Sequence, residues 1–339
     1  MILILSTKED NQTDEVCAWL NFYKKNFVRI NDNIINYNFD IFIKNQLLEP
    51  IIKIENKIIN FSDFNVVWFR RGYFFANYSD NIEITKLSTT ENILSSNKIN
   101  DLCERDFFSM SKYLYWYLKQ NTKCINFVGK YNTNKLIALH LASQIGLKIP
   151  NSLVTEEKFI FNEFYKKDNV ITKSISDWSN FRTEKYKFNF FTSKVETQNI
   201  PNNFFYSLFQ QQIEKSFEVR TFVWDNKTYS AAIYAPPENI KAQVDFRSDY
   251  DGIKIVPYKL PQDIENKLLK LMASLDLKSG SADFIVDKNL DFYFLEINPV
   301  GQFDFIDKAC NYNLAKIIAE TLINKRKGRP RVKCFEIIE

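Results

Sequence analysis

Short apolar runs and longer stretches of helical period alternate through the first third of the chain, separated by turns rich in Asn, Asp and Lys. Ile2 to Leu5 is an apolar run of strand length. Asp14 to Tyr23 sets Val16, Ala18, Trp19, Leu20, Phe22 and Tyr23 on a helical repeat. Ile34 to Ile43 and Ile51 to Phe61 are rich in β-branched residues between turns, and Val66-Val67-Trp68-Phe69 reads as a buried strand followed directly by Arg70-Arg71-Gly72. Asp101 to Lys119 predicts a long aromatic-rich helix and Cys124 to Val128 a further strand. Such alternation predicts a small α/β domain.

The pattern then changes. Leu136, Leu139, Leu141 and Ile145 form an amphipathic stripe ended by Gly146 and Pro150, which predicts a helix within Asn132 to Pro150. Val170 to Lys173 is a short strand, and residues 174–203 are polar, aromatic and basic without a period, as in a flap over a site. Strands return at Phe217 to Trp224 and Thr228 to Tyr234, across the turn Asp225-Asn226-Lys227, and again at Ser281 to Val286 and Phe292 to Asn298. Asn311 to Asn324 predicts a closing helix, and Lys325 to Lys333 a solvated basic tail.

Composition narrows the chemistry. The 339 residues, 45% hydrophobic and 25% charged, suffice for two or three domains and exclude a disordered or fibrous chain. Only 7 residues are glycine, about 2% against a usual roughly 7%. None of them forms a GxGxxG or GxxxxGK pattern, which excludes glycine-fingerprint dinucleotide sites and P-loops. The single histidine, His140, leaves no HExxH and little room for a Ser-His-Asp or Cys-His machine. The chemistry therefore runs on carboxylates, lysines and arginines. A net charge of +4 from 45 basic and 41 acidic residues does not imply a nucleic-acid partner. Five scattered cysteines without a CxxC pair suit reduced thiols, hence a cytoplasmic protein, and the apolar start is too short for a signal sequence or a membrane span.

The two last strands carry the densest chemistry. Joined by a loop of Lys288 to Asp291, they form an antiparallel hairpin in which Asp283 lies opposite Glu296. Side chains two apart share a face, so Glu296 and Asn298 are expected beside Asp283. Two carboxylates and an amide oxygen form a hard-oxygen set suited to Mg²⁺, which takes one or two carboxylates and leaves other positions to water and phosphate.

At these residues the chain resembles the ATP-grasp superfamily, whose metal signature is an Asp on one strand and Glu-x-Asn on the next. The resemblance implies an α/β fold of mixed α+β type, with nucleotide held between two α+β subdomains behind an N-terminal pre-ATP-grasp domain. The expected divisions are 1–120, 121–207 and 208–339. It implies that Lys135 and Lys173 hold phosphates. It also implies that backbone groups near Gln212 and Ile213 read the adenine edge, that Gln210 reads the exocyclic amine, and that Glu218 binds the ribose hydroxyls. Arg220, two residues on along the strand, shares the face of Glu218. The family's loop over the phosphates is often glycine-rich, whereas Ser174 to Asn180 holds no glycine.

A narrower resemblance rests on Val67 to Arg71, on Val244-Asp245-Phe246-Arg247 and on Asn298-Pro299-Val300-Gly301-Gln302-Phe303. These segments look like the peptide ligases that make microviridins and other graspetides, and residues 2–6, 19–20 and 27–31 look like the grasp-with-spasm maturases among them. The resemblance implies a ligase that uses ATP and Mg²⁺ to phosphorylate Asp or Glu side chains of a precursor peptide, leader plus core. Ser or Thr hydroxyls, or Lys amines, then close the macrocycle. Arg220 and Arg247 are expected at the acyl phosphate; Asp245 either orients Arg247 or acts on the incoming hydroxyl. Arg70 and Arg71, with the stretch from Trp178 to Lys194, are the expected leader surface. A co-encoded radical SPASM-type protein and a second copy of the chain are the further partners it suggests. Two other readings stand beside this one: a carboxylate–amine ligase acting on another protein or on small amino acids, and a peptide-binding protein without turnover.

Overall fold

The computed structural model describes residues 1–32, 37–44, 47–74, 91–127, 134–165, 169–176, 180–183, 186–189, 192–196, 198, 200–239, 242 and 244–325. The chain divides into two compact units, Met1–Gly129 with Ala315–Glu339, and Lys130–Leu314.

The first unit opens with β1 (Ile2–Ser6), α1 (Asn11–Phe22) and β2 (Phe27–Asn31). An antiparallel meander follows, of β3 (Tyr37–Lys44), β4 (Leu47–Ile54) and β5 (Lys57–Asn60). Then come β6 (Val66–Phe69), α2 (Glu91–Asn121) and β7 (Lys123–Ile125). Strands order as β2-β1-β6-β7, every pair parallel. Strands buried on both faces need continuous apolar runs, which is why Ile2 to Leu5 and Val66 to Phe69 do not alternate. Leu3, Val67, Phe61, Phe64, Leu114 and Leu118 share one core. Helix α2 begins ten residues before the sequence pattern announces it, because its first turns carry no apolar stripe.

The second unit contains α3 (Lys135–Ile145), β8 (Ser152–Glu157), α4 (Lys158–Tyr165) and β9 (Val170–Lys173). Three short strands follow, β10 (Asn180–Arg182), β11 (Lys187–Asn189) and β12 (Ser193–Lys194), and then the longer β13 (Asn203–Gln211). Elements of two or three residues cannot carry a period, so the sequence reads this stretch as an aperiodic flap. Strands β12-β9-β13-β8 form one antiparallel sheet. The chain leaves it at Gln212–Glu214 and enters a second sheet. That sheet is built from β14 (Lys215–Trp224), β15 (Lys227–Tyr234), β16 (Lys254–Tyr258), β17 (Ser279–Asp287) and β18 (Phe292–Asn298), in the order β16-β15-β14-β17-β18. Helix α5 (Gln262–Ser274) precedes β17, and α6 (Asp304–Cys310) follows β18.

Alternation decides which side of this sheet is core. Phe217 and Val219 of β14, Ala282, Phe284 and Val286 of β17, and Phe294 of β18 pack under α3 and α5, against Leu139, Ala142, Leu268 and Leu271. Glu218, Arg220, Asp283 and Ile285 therefore face the other way. The last helix, α7 (Leu314–Asn324), starts after left-handed Asn311 and Asn313, a conformation asparagine tolerates. From Ala315 the chain groups with the first unit rather than with the C-terminal subdomain expected from sequence. Tyr23 donates to Glu320 at 2.7 Å there, and Lys316 lies 5.4 Å from the Trp19 ring. The basic tail beyond residue 325 lies outside the described residues. Among the described residues, no helix is long and apolar enough to cross a membrane.

Candidate active site

The polar face of the β14–β17–β18 sheet opens into a pocket that also takes Lys173 and Gln210 from the other sheet of the unit. Asp283 lies opposite Glu296, as the sequence predicts. The ladder slips by one residue, however: Phe284 pairs with Phe294 and Val286 with Phe292. A slip alone would turn every following side chain to the wrong face. A bulge at Leu295 restores the register, sending Phe294 to the core and Glu296 to the pocket.

Helix α3 brings a cation to this carboxylate. Asn134 caps it by accepting from the Leu136 and Ile137 amides at 3.0 and 3.1 Å. Lys135, its first residue, is buried, donates to the Ser174 carbonyl at 3.1 Å and lies 3.2 Å from Glu296 Oε2. Lys173, at the end of β9, lies 3.9 Å from the same oxygen. Arg220 Nη1 donates to both Asp283 oxygens at 2.9 Å. Counting Arg247, four cations meet Asp283, Glu296 and Asp245, so the cluster retains positive charge for an anionic ligand.

Titration directions agree. Burial pushes Lys173 down to about 8, with Lys135 and Arg247 adding repulsion that Glu296 only partly offsets. Burial would raise Glu296, but Lys173, Lys135 and Arg247 outweigh it and hold the carboxyl below the usual range. At Asp283 burial wins over Arg220 and the carboxyl is raised.

Two buried polar atoms are left over. Gln210 is fully buried; its Nε2 donates to Ser152 Oγ at 2.8 Å while Oε1 has no donor among the described residues. An amine donor in the pocket, such as the exocyclic amine of adenine, fits that acceptor. Arg220 Nε is likewise buried without a partner and fits an anion. Of the backbone groups expected at the base edge, the Gln212 amide donates to the Asn169 carbonyl at 2.7 Å. Glu218 faces the pocket, its carboxylate held by Lys215.

Three expectations change. Asn298 does not converge with the carboxylates: its Oδ1 accepts from the Val300 and Gly301 amides at 3.0 and 3.3 Å, closing the turn after β18. The hard-oxygen set drawn together is Asp283 and Glu296, which suffices for Mg²⁺ shared with phosphates. Among the described residues no group of three His, Cys, Asp or Glu could hold a metal. Asp245 is engaged by Arg247. It accepts from Arg247 Nε at 2.9 Å, from Nη2 at 2.8 Å and from the Arg247 amide at 3.0 Å, and its pKa is lowered by that arginine against the effect of burial. Arg70 is not a surface residue. Its side chain is 1% exposed and bound to Asp10, so of the pair only the half-buried Arg71 is presented to solvent. Trp178 lies outside the described residues.

Sequence reasoning missed Lys215, which looks like an ordinary surface lysine beside Glu214, and the apolar wall of Ile171, Ile285 and Leu295. The spacing of Lys215 and Glu218, three apart in a strand, argues against contact unless a bulge is foreseen.

No protein-family model and no curated protein matches the sequence. Solved structures do match. The chain is similar to a RiPP-associated ATP-grasp ligase of Chryseobacterium gregarium, solved with ADP and a leader and core peptide. The two share 23% identity over 97% of this chain and 98% of that one, with a TM-score of 0.76. It is similar to the macrocyclase MdnC of Microcystis aeruginosa MRC bound with the precursor peptide MdnA, at 22% identity over 96% and 100% of the chains and a TM-score of 0.70. The ATP-grasp ligase PsnB, complexed with precursor peptide PsnA2 and AMPPNP, aligns at 14% identity over 96% of each chain with a TM-score of 0.69. The chain has the ATP-grasp fold.

Proposed function

We propose that the protein is an ATP-dependent ligase that closes macrocycles in a ribosomally made precursor peptide, joining Asp or Glu side chains to Ser or Thr hydroxyls as ω-esters or to Lys amines as ω-amides. The observation that carries the reading is the cation-rich pocket around Asp283 and Glu296, with the orphaned Gln210 acceptor at its other end. The ligands named for the similar structures, ADP, AMPPNP and Mg, and leader and core peptides, support it.

Lys135 and Lys173 hold the phosphates, Gln210 and the Ile213 amide orient the base, and Glu218 accepts from the ribose hydroxyls. Asp283 and Glu296 would hold Mg²⁺, which when bound would supply positive charge against the transferring phosphoryl group. A substrate carboxylate oxygen attacks the γ-phosphorus; the bond to the β–γ bridging oxygen breaks and ADP leaves with its electron pair. The peptide hydroxyl or amine then attacks the acyl carbon, the bond from that carbon to the phosphate oxygen breaks, and inorganic phosphate departs carrying the nucleophile's proton. Arg220 and Arg247 stabilise the negative charge on that phosphate, and Asp245 holds the planar Arg247 fork in place. Positioning and cationic clamping supply the catalysis, which needs no histidine.

Arg71 and the stretch from Trp178 to Lys194 contribute to leader capture, and the protein acts in the cytoplasm, with a co-encoded SPASM-type protein and a second copy of the chain as candidate partners. The test is ADP release and loss of water from a Thr/Ser- and Asp/Glu-rich peptide encoded next to the gene, followed by mass spectrometry with leader attached, removed, or supplied in trans. Turnover of free amino acids but of no peptide would move the reading to a small-substrate carboxylate–amine ligase. Binding of MgATP and peptide without ADP release would make the protein a peptide binder.

A further inference from the structure

Lys215 is the first residue of β14, and its side chain is 5% exposed although no ligand of the proposed reaction needs it. In a regular strand, residues three apart point to opposite faces. Here the β14–β17 ladder shifts register between Lys215 and Phe217, and the irregularity turns Lys215 onto the face of Glu218. Its ammonium donates to Glu218 Oε1 and to the Ala242 carbonyl, the latter at 2.9 Å.

The second acceptor gives the arrangement its interest. Ala242 is fully buried and lies three residues before Asp245, the residue that grips Arg247. Its amide is held in turn by Asn239 Oδ1 at 3.0 Å, and Asn239 Nδ2 reaches the Asp251 carbonyl at 3.1 Å. One ammonium thus ties the acid assigned to ribose to the segment that carries the arginine assigned to the acyl phosphate. An ammonium can serve two acceptors in different directions, as no neutral side chain of that reach can.

We propose that Lys215 is a positioning residue that registers the nucleotide end of the pocket with the Asp245–Arg247 segment. The inference rests on the ligase reading for the roles of Glu218 and Arg247, but the bridge itself does not. Burial raises the Glu218 carboxyl, and Lys215 is the main influence opposing this, so removing the ammonium also weakens Glu218 as an acceptor.

The experiment compares wild type, Lys215→Met, Lys215→Arg and Asn239→Ala as full-length proteins. Amide hydrogen exchange of residues 242–247 is followed with and without MgADP, alongside MgADP affinity by calorimetry and kcat of peptide modification at saturating ATP. In Lys215→Met the 242–247 amides exchange faster, MgADP affinity falls about tenfold, and kcat falls about tenfold even at saturating ATP, as expected for loss of a charge-assisted bond at each end. Lys215→Arg restores part of both. Asn239→Ala lowers kcat and loosens 242–247 while leaving MgADP affinity unchanged, and with Lys215→Arg keeps the proposal testable if Lys215→Met does not fold. Unchanged exchange at 242–247 in Lys215→Met, or a loss of affinity with kcat intact, would overturn the bridge. Wild type that fails to bind MgADP would instead overturn the ligase reading, and the exchange comparison without nucleotide would still decide the bridge.

Discussion

Both units bury a cluster of charged residues, and the two clusters are built on opposite principles. In the first unit Asp10 Oδ2 accepts from Ser6 Oγ, Thr13 Oγ1 and Arg70 Nε at 3.0–3.1 Å, and Arg70 also donates to Gln12 and lies 5.6 Å from the Trp68 ring. Gly72 presses on Ser6 so closely that a Cβ would stand 2.3 Å from its carbonyl oxygen. Asp10 faces both Arg70 and Arg71, and its Oδ2 is engaged by three donors. In the second unit, four cations meet three carboxylates, Lys173 is pushed down to about 8, and Gln210 Oε1 and Arg220 Nε, on residues that line the pocket, have no partner among the described residues. Burial and charge by themselves do not distinguish a site from a scaffold. What sets the second cluster apart is the pocket that Lys173, Gln210, Arg220, Asp283 and Glu296 line together.

The strongest way to break this comparison is to halve the closed cluster. Asp10→Ala leaves Arg70 charged, buried and unpaired, and should destabilise the protein by about 3–5 kcal/mol. Chemical denaturation measures it; a loss under 1 kcal/mol would mean that the cluster is not closed.

The open cluster should answer to function instead. Arg247→Ala should slow cyclisation about 10²- to 10³-fold with MgADP affinity intact. Wild-type rates of precursor dehydration in this variant would make Arg247 structural.

A third comparison turns stability against activity. MgATP at about 100 times its dissociation constant should stabilise wild type by roughly 2.7 kcal/mol, and Glu296→Gln should forfeit the Mg²⁺-dependent part. Lys173→Met, which removes a cation that burial disfavours, should leave the melting temperature unchanged or higher while abolishing that ligand effect. A melting temperature that drops as far as in Asp10→Ala would erase the distinction between the clusters.

The smallest effect is on pH. Burial would raise the Asp10 carboxyl, but Arg70 and Arg71 hold it below the usual aspartate range. A depressed folded-state value stabilises above the unfolded pKa, and the contribution disappears as pH falls through the folded value. Wild type should therefore lose stability below about pH 4 more steeply than Asp10→Asn; parallel profiles would assign acid sensitivity to other carboxylates.

Local signals carried much of this protein. Apolar runs mark β1 and β6 because parallel strands are buried on both faces. Asn134 and Gly146 frame α3 through a side-chain cap and a left-handed φ of 86°. The Asp283–Glu296 pairing follows from period-two geometry and a short loop. The sequence also confines the chemistry to carboxylates and cations, since it has one histidine and almost no glycine.

What needed the fold is of a different kind. Arg70 and Arg71 are neighbours with the same side chain, and only packing makes one 1% and the other 31% exposed. Asn298 has the right spacing for a ligand, yet its oxygen is taken by two turn amides, because local side-chain-to-backbone bonds compete with any distant partner. The bulges at Leu295 and beside Lys215 leave no mark in the residue pattern, but each decides which face a charged side chain takes. Periodicity fixes a side chain's face only relative to its neighbours along the chain. Whether that face meets core, solvent or an opposing charge is set by residues distant in sequence, and that is where this site is made.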